Sequence, residues 1–334
     1  MTKKIRKILI TGSEGFIGSH VVELMLSKGF RVNAFINYNF LNSSGHLQEI
    51  KKNNKLKYFF GDIRDEKTVD TAMKNCDAVL NLAALIGIPY SYDAPSSYVS
   101  TNINGTLNLL NYSLKHRVKR FIHTSTSEVY GSAQFVPITE KHPLVGQSPY
   151  SASKIGADHL VTSFNKSFDL NTIILRPFNT FGPRQSLRAV IPTIIAQAIN
   201  GKKIKIGNLF TRRDFTFVED TAIGFYRAIT CSSKAFGKTF NLGTGYDVTI
   251  KDIIKMVEKI LNKKLSIKAD KKRIRPPKSE VQRLLSDNTL AKKILKWSPN
   301  YSKKKGFEIG LVKTIEYIKK DTLNYKQDKK KYIK

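Results

Sequence analysis

The sequence predicts an α/β fold: a doubly wound parallel sheet with helices on both faces, followed by a smaller, mixed α/β C-terminal lobe. Three observations predict it. Short apolar runs alternate with longer amphipathic runs through the first half of the chain. The first passage from strand to helix carries glycines at 12, 15 and 18. After about residue 176 the alternation gives way to Arg- and Pro-rich loops between shorter elements.

The elements follow in order. "KILITG" is a short apolar strand, and "FIGSHVVELMLSKG" is an amphipathic helix closed by Gly29. "RVNAFIN" is a second strand. Parallel strands need such a crossover helix, so the three form a βαβ unit. "LKYFFGDI" continues as a strand, "EKTVDTAMKN" as a helix and "DAVLNLAA" as a strand. "SYVSTNINGTLNLLNYSLKH" is expected as one long helix, followed by the strand "RFIHTSTS". "YSASKIGADHLVTSFNKSF" is a helix and "NTIILRPFN" a strand. The first domain is thus expected over 1–175, with the chain returning to it around 215–245, at "FVEDTAIGFYRAIT". A discontinuous second lobe is expected over 176–320, with "TIKDIIKMVEKILNK" as its clearest helix, and a basic, mobile tail over 321–334.

The chain has 334 residues, 41% of them hydrophobic, which is enough for a substantial core. Cys76 and Cys231 stand far apart, with no CxxC pair and no metal-ligand spacing, so a reduced, cytoplasmic setting and no metal are expected. No apolar run approaches the ~18 residues of a membrane span. The opening "MTKKIRKILITG" is too short in apolar residues for a signal-peptide core. The formal net charge of +31 suggests a nucleic-acid partner. However, 43 of the 57 basic residues are Lys, and 23 of those lie after residue 250 at helix-face spacing or in the tail. That pattern describes solvated faces, so neither a nucleic acid nor a membrane is expected as partner.

"TGSEGFIG" places Gly12, Gly15 and Gly18 between a strand and a helix. Gly12 permits a tight turn, Gly15 lets the backbone approach a diphosphate, and Gly18 lets helix and strand pack closely. The helix start then offers free N–H groups to the phosphates, with Phe16 and Ile17 at the same cradle. This is the Rossmann arrangement for a dinucleotide. An acidic residue at the end of the second strand would bind a ribose 2′-hydroxyl and favour NAD. "NAFINYN" offers Asn37 and Asn39 instead. NADP is therefore allowed and mildly favoured over NAD. Asp62 and Ile63, at the end of the third strand, are placed where the adenine rests.

Tyr150 and Lys154 stand one helical turn apart in "SPYSASKIGAD". A free phenol has a pKa near ~10 and is a poor base. An ammonium one turn away, and the positive ring of an oxidised nicotinamide, both favour the phenolate. A drop of about three pKa units corresponds to ~4 kcal/mol of differential stabilisation. Tyr150 is then expected to take a proton from a substrate alcohol as hydride leaves.

GxxGxxG, "NLAA", "TSTSEVYG" and "YSASK", in that order and with "RPFNTFGPRQ" following, resemble the extended short-chain dehydrogenase/reductases that act on nucleotide sugars. The resemblance covers about residues 5–318. It implies a tightly bound, recycled NAD or NADP and a nucleotide diphosphate sugar as substrate. It places Leu82, Ala83 and Ala84 at the cofactor, and makes Thr126 the catalytic hydroxyl, Tyr150 the base and Lys154 its lysine. Asn179, Arg184, Arg213 and Arg275 are placed with the sugar nucleotide. By the same analogy the helices around 98–115 and 151–168 form a homodimer's four-helix bundle.

Glu128 points within that family to 4,6-dehydratases or uronate decarboxylases, since a 4-epimerase needs no further acid or base. The best-known dehydratases carry Thr-Asp-Glu, whereas this chain has Ser127 in the Asp position. That departure leaves the acid open and also matches the decarboxylase pattern. "ALIGIPYSYDAPSSYVSTN", "FNTFGPRQSLRAVIPTII" and "RPPKSEVQRLLSDN" resemble the GDP-N-acetylglucosamine 4,6-dehydratases of legionaminic acid synthesis. A UDP-glucuronate decarboxylase, a UDP-N-acetylglucosamine 4,6-dehydratase or 4-epimerase, and an inactive cofactor-binding scaffold remain alternatives.

Overall fold

The structure is a computed structural model that describes residues 5–270 and 281–320. Arg275 and the tail from 321 lie outside the described residues.

The first lobe opens with β1 (Lys7–Thr11), α1 (Phe16–Ser27), β2 (Arg31–Asn37), β3 (Leu56–Gly61), α2 (Glu66–Met73) and β4 (Ala78–Asn81). Next come α3 (Ile88–Asp93), α4 (Pro95–Tyr98), α5 (Gly105–Lys115), β5 (Arg120–Thr124), α6 (Pro149–Phe168) and β6 (Thr172–Pro177). Then follow β7 (Asn179–Phe181), α7 (Val190–Asn200), β8 (Lys203–Ile206), β9 (Arg212–Phe217), α8 (Val218–Thr230) and β10 (Lys238–Leu242). The chain continues through β11 (Asp247–Thr249), α9 (Ile250–Leu261), β12 (Ser266–Ala269), β13 (Arg283–Leu284) and α10 (Lys303–Lys320).

Seven parallel strands form the main sheet in the order β10-β6-β5-β4-β1-β2-β3. The sheet buries both faces, and side-chain alternation divides them. Ile8 and Ile10 of β1 pack with Val21, Val22 and Met25 of α1 and with Phe225 of α8. Leu9, between them, packs on the other face with Val69 of α2, Leu109 of α5 and Val161 of α6. Strand order reverses between β1 and β4, which opens a crevice at their carboxyl ends. The glycine loop and "NLAA" are the two segments that leave those ends.

The second lobe has its own core. Ile194 and Ile195 of α7, Ile253 and Ile254 of α9, and Leu311 and Ile315 of α10 close over Phe215 and Phe217 of β9. β9 lies between β11 and β13 and also pairs β7. Asp214 pins β9 in place, its buried carboxylate accepting from the backbone N–H of Thr244 (2.8 Å), Gly245 (2.9 Å) and Ser286 (3.2 Å).

Two elements differ from the sequence reading. The long helix expected from Ser97 is not regular: its first residues close α4, Val99–Asn104 form a π-helical segment, and only then does α5 begin. Residues 291–297, read with the second lobe, return to the first. Trp297 is fully buried in the first-lobe core beside Ala291 and Leu295, and its indole N–H donates to the Asp220 carbonyl at 2.9 Å. Among the described residues no helix is long and apolar enough to cross a membrane.

Candidate active site

The glycine loop shows which glycines the protein itself requires. Gly12 has φ +63°, and a Cβ there would sit 2.9 Å from the Ala83 backbone. A Cβ on Gly18 would sit 2.0 Å from the Gly12 carbonyl oxygen. A Cβ on Gly15 would meet only that carbonyl, at 3.4 Å. Protein packing thus demands glycine at 12 and 18, whereas at 15 the open side faces the start of α1. That cradle fits a dinucleotide diphosphate. Thr11 ties the two crevice segments together, its hydroxyl accepting from the N–H groups of Leu82 and Ala83 at 3.1 Å each. Phe16 and Ile17 open α1, and Ile17 packs against the sheet core. Ile63 is buried against α5, whereas Asp62 is bound to the Arg64 guanidinium at 2.6 Å on the rim. The Asn37 residue is exposed; its backbone N–H donates to Glu14 at 2.9 Å and its carbonyl accepts from the Asn39 amide at 3.2 Å.

Tyr150 and Lys154 are placed by the start of α6. Ser148 caps it, accepting from Ser151 N–H at 3.1 Å, and the Ser151 hydroxyl accepts from Ser148 N–H at 3.0 Å. Pro149 occupies the first turn, where its missing N–H does no harm. Both Tyr150 and Lys154 are buried. Tyr98 packs edge-on to Tyr150 with centroids 6.2 Å apart. The Thr126 hydroxyl bonds the Tyr150 phenol, and Glu128 lies close enough for its charge to act on it. Beyond β5, Thr126 and Glu128 keep partial exposure while Ser125 and Ser127 are buried. The structure therefore gathers Thr126, Glu128, Tyr150 and Lys154 and withdraws Ser127 from solvent.

The sequence reading expects a lowered Tyr150 pKa, and the protein alone does the opposite. Burial pushes the phenol up, the Thr126 bond lowers it less, and Glu128 and Tyr98 raise it further. Burial also lowers Lys154 to about 8, against a smaller opposing pull from Asp158. A dry pocket disfavours both charged forms. The phenol is thus held protonated until further positive charge enters the site.

This burial has a measurable consequence for stability. Unfolded Lys154 keeps its proton to near pH ~10.4, while the folded chain releases it at about 8. Between those values the unfolded chain binds more protons, so the folded state gains stability as pH rises. Below pH 8 the full penalty applies. Lys154→Met is therefore expected to stabilise the chain by up to ~3 kcal/mol at pH 7, and by little near pH 10. Urea unfolding of both proteins at the two pH values checks this. An equal difference at both would contradict it.

Support around the pair runs through the π-helical segment. The extra residue in its turn directs Asn102 inward. Its amide accepts from Leu85 N–H at 2.9 Å and donates to the Leu85 carbonyl (3.0 Å) and the Ser153 hydroxyl (2.9 Å). The segment after "NLAA" is thereby locked to the catalytic helix. One turn beyond Lys154, Asp158 accepts from Ser125 at 2.7 Å and from Arg176 at 2.9 Å.

The second-lobe residues are less uniform. The Asn179 side-chain oxygen is buried and has no hydrogen-bond partner among the described residues. Arg213 is buried in β9, one of its nitrogens donating to the carbonyls of Arg212 (3.0 Å) and Gln282 (3.3 Å). Arg184 is not brought to them: its guanidinium is paired with Glu23 at 2.7 Å and Glu49 at 3.1 Å. It ties the loop after β7 to the outer side of α1. Sequence reasoning missed Arg188, whose charge reaches the Tyr98 phenol beside Tyr150. Its only signal was a second Arg in "GPRQSLR".

This constellation, on this sheet, defines a short-chain dehydrogenase/reductase-type enzyme of nucleotide sugars. Residues 9–309 match the family described as GDP-mannose 4,6 dehydratase. The chain is 32% identical to the dTDP-glucose 4,6-dehydratase of Escherichia coli, over 93% of each chain. DesIV, a dTDP-glucose 4,6-dehydratase from Streptomyces venezuelae solved with NAD and TYD bound, superposes with a TM-score of 0.84 at 26% identity, covering 94% of this chain and 97% of that one. A UDP-glucuronic acid 4-epimerase from Bacillus cereus, solved with UDP-glucuronic acid and NAD, gives a TM-score of 0.86 at 29% identity, covering 94% and 99%. The chain belongs to the GDP-mannose 4,6-dehydratase family, among the NAD(P)-dependent nucleotide-sugar dehydratases and epimerases.

Proposed function

We propose that the chain is a nucleotide-sugar 4,6-dehydratase that forms a 4-keto-6-deoxy sugar, with GDP-N-acetylglucosamine as its substrate. The observation that carries the reaction is Glu128, a partly exposed carboxylate whose charge acts on the Tyr150 phenol. An epimerase has no use for a second base there. The choice of sugar and of guanine rests on the sequence resemblance.

When bound, the nicotinamide supplies the acceptor for the C4 hydride and its donor to C6. Tyr150, hydrogen-bonded to Thr126, takes the 4-hydroxyl proton. Lys154, one turn along α6, holds positive charge beneath it. The new ketone acidifies C5, and Glu128 removes that proton. The 6-hydroxyl leaves as water with a proton from Glu128, which serves both steps from one face of the sugar, and as hydride returns to C6 the carbon at C5 takes a proton that originates in solvent. Ser127, being buried, is the weaker candidate for that acid. Asn179 meets the sugar nucleotide with its unpartnered amide oxygen. We assign Arg213 and Arg275 to binding the diphosphate. We assign Arg184 to holding the loop and not to the substrate. The helices around 98–115 and 151–168 serve as the homodimer surface, and a monomer in light scattering would remove that part of the proposal.

The test is to incubate the protein with GDP-N-acetylglucosamine, UDP-N-acetylglucosamine and UDP-glucuronate in parallel, with mass detection. Loss of one water from the GDP sugar, faster than from the UDP sugar, is the expected result. An isomer of unchanged mass would make it an epimerase, and loss of carbon dioxide from the uronate a decarboxylase. No product from any of them would favour an inactive scaffold.

A further inference from the structure

The residue that reads the ribose 2′ position is absent from the end of β2, and the structure offers a substitute in the glycine loop. Glu14 stands directly before Gly15. One oxygen of its carboxylate accepts from the backbone N–H of Asn37, the last residue of β2, at 2.9 Å. Its other oxygen is buried and has no hydrogen-bond partner among the described residues. The side chain thus reaches the strand end from which an acidic residue ordinarily meets the adenosine ribose.

Its backbone is clamped on two sides. The Ser13 hydroxyl donates to the Phe35 carbonyl of β2 at 3.0 Å, and His46 N–H donates to the Glu14 carbonyl at 3.1 Å. Gly45, at φ +53°, lies so close that a Cβ there would be 2.8 Å from that carbonyl oxygen. The carboxylate therefore has little freedom to turn away. Burial raises its pKa, and the Asn37 N–H lowers it by less. A buried carboxylate oxygen without a donor is unfavourable until something supplies one.

We propose that Glu14 is a specificity-determining residue for the cofactor, its unpartnered oxygen accepting the adenosine ribose 2′-hydroxyl of NAD and repelling the 2′-phosphate of NADP. This reverses the mild preference for NADP read from β2 alone. A 2′-hydroxyl donates a hydrogen bond to the waiting oxygen, whereas a 2′-phosphate would set a dianion against a carboxylate. The inference is independent of which sugar the enzyme takes and of what it does to it.

The experiment is equilibrium titration of the cofactor-stripped protein with NAD and with NADP, followed by calorimetry, without substrate. The wild-type chain is expected to bind NAD at least tenfold more tightly. Glu14→Gln keeps the shape and the bond to Asn37 but removes the charge. It should narrow the ratio by about tenfold to a hundredfold, mainly by strengthening NADP, as befits a charged hydrogen bond. Glu14→Ala should narrow it likewise, and an unchanged circular dichroism spectrum establishes that each variant is folded. If Gln does not fold, the Ala variant and the wild-type ratio carry the test. Equal wild-type affinities for the two cofactors would overturn the proposal. So would a substitution that weakens both alike, which is the behaviour of a residue that only shapes the loop.

Discussion

Tyr150→Phe is expected to slow oxidation at C4 by between a hundredfold and ten-thousandfold, the range of a single base contribution. The ring remains, so its edge-on contact with Tyr98 and its place in α6 are kept. Only the oxygen bonded to Thr126 is lost. Cofactor affinity should therefore change little while the rate collapses. Wild-type oxidation should also respond to cofactor loading in a way the apo protein conceals. Burial holds the phenol protonated in the protein alone, so the positive nicotinamide and the Lys154 ammonium must together bring it down. Single-turnover measurement of C4 oxidation in both proteins checks the first point. A rate reduced less than tenfold would show that another group takes the proton.

Glu128→Gln is expected to separate oxidation from dehydration. Tyr150, Thr126 and Lys154 are untouched, so C4 is still oxidised and the absorbance of the reduced nicotinamide should persist. Water loss should fall by about a hundredfold to ten-thousandfold, because the base for C5 and the acid for the 6-hydroxyl are removed together. Gln is nearly the same shape and keeps a hydrogen-bonding end, so the short turn after β5 should hold. Stopped-flow absorbance with parallel mass detection reads both steps. Dehydration at the wild-type rate would remove Glu128 from the chemistry.

The first half of the fold was legible because its signals are local. A strand of four or five apolar residues, a glycine turn and an amphipathic helix each announce themselves within a dozen positions, and the sheet follows from the handed βαβ rule. Tyr150 and Lys154 were legible for the same reason, since one helical turn fixes their spacing. What stayed hidden depends on contacts between distant positions. Arg184 reads as a residue of the sugar-nucleotide site until Glu23 and Glu49, more than a hundred residues earlier, are seen to hold it. Trp297 belongs to the first-lobe core through packing with distant residues such as Phe225 and through its indole N–H donating to the Asp220 carbonyl. The π-helical turn at Val99–Asn104 has no local signature; its reason is Asn102 bridging Leu85 and Ser153. The Tyr150 pKa direction was missed because burial, which raises it, is a property of the folded pocket and not of the YxxxK spacing.

In the proposed reaction hydride leaves C4 and returns to C6 of the same sugar, with Glu128 taking the C5 proton in between. The most direct measurement is the fate of deuterium placed at C4 of GDP-N-acetylglucosamine, followed by NMR of the product. The label is expected at C6, and reaction of unlabelled substrate in heavy water is expected to place deuterium at C5. Label returned to C4, with C6 keeping its oxygen, would contradict that reaction and make the chain an epimerase.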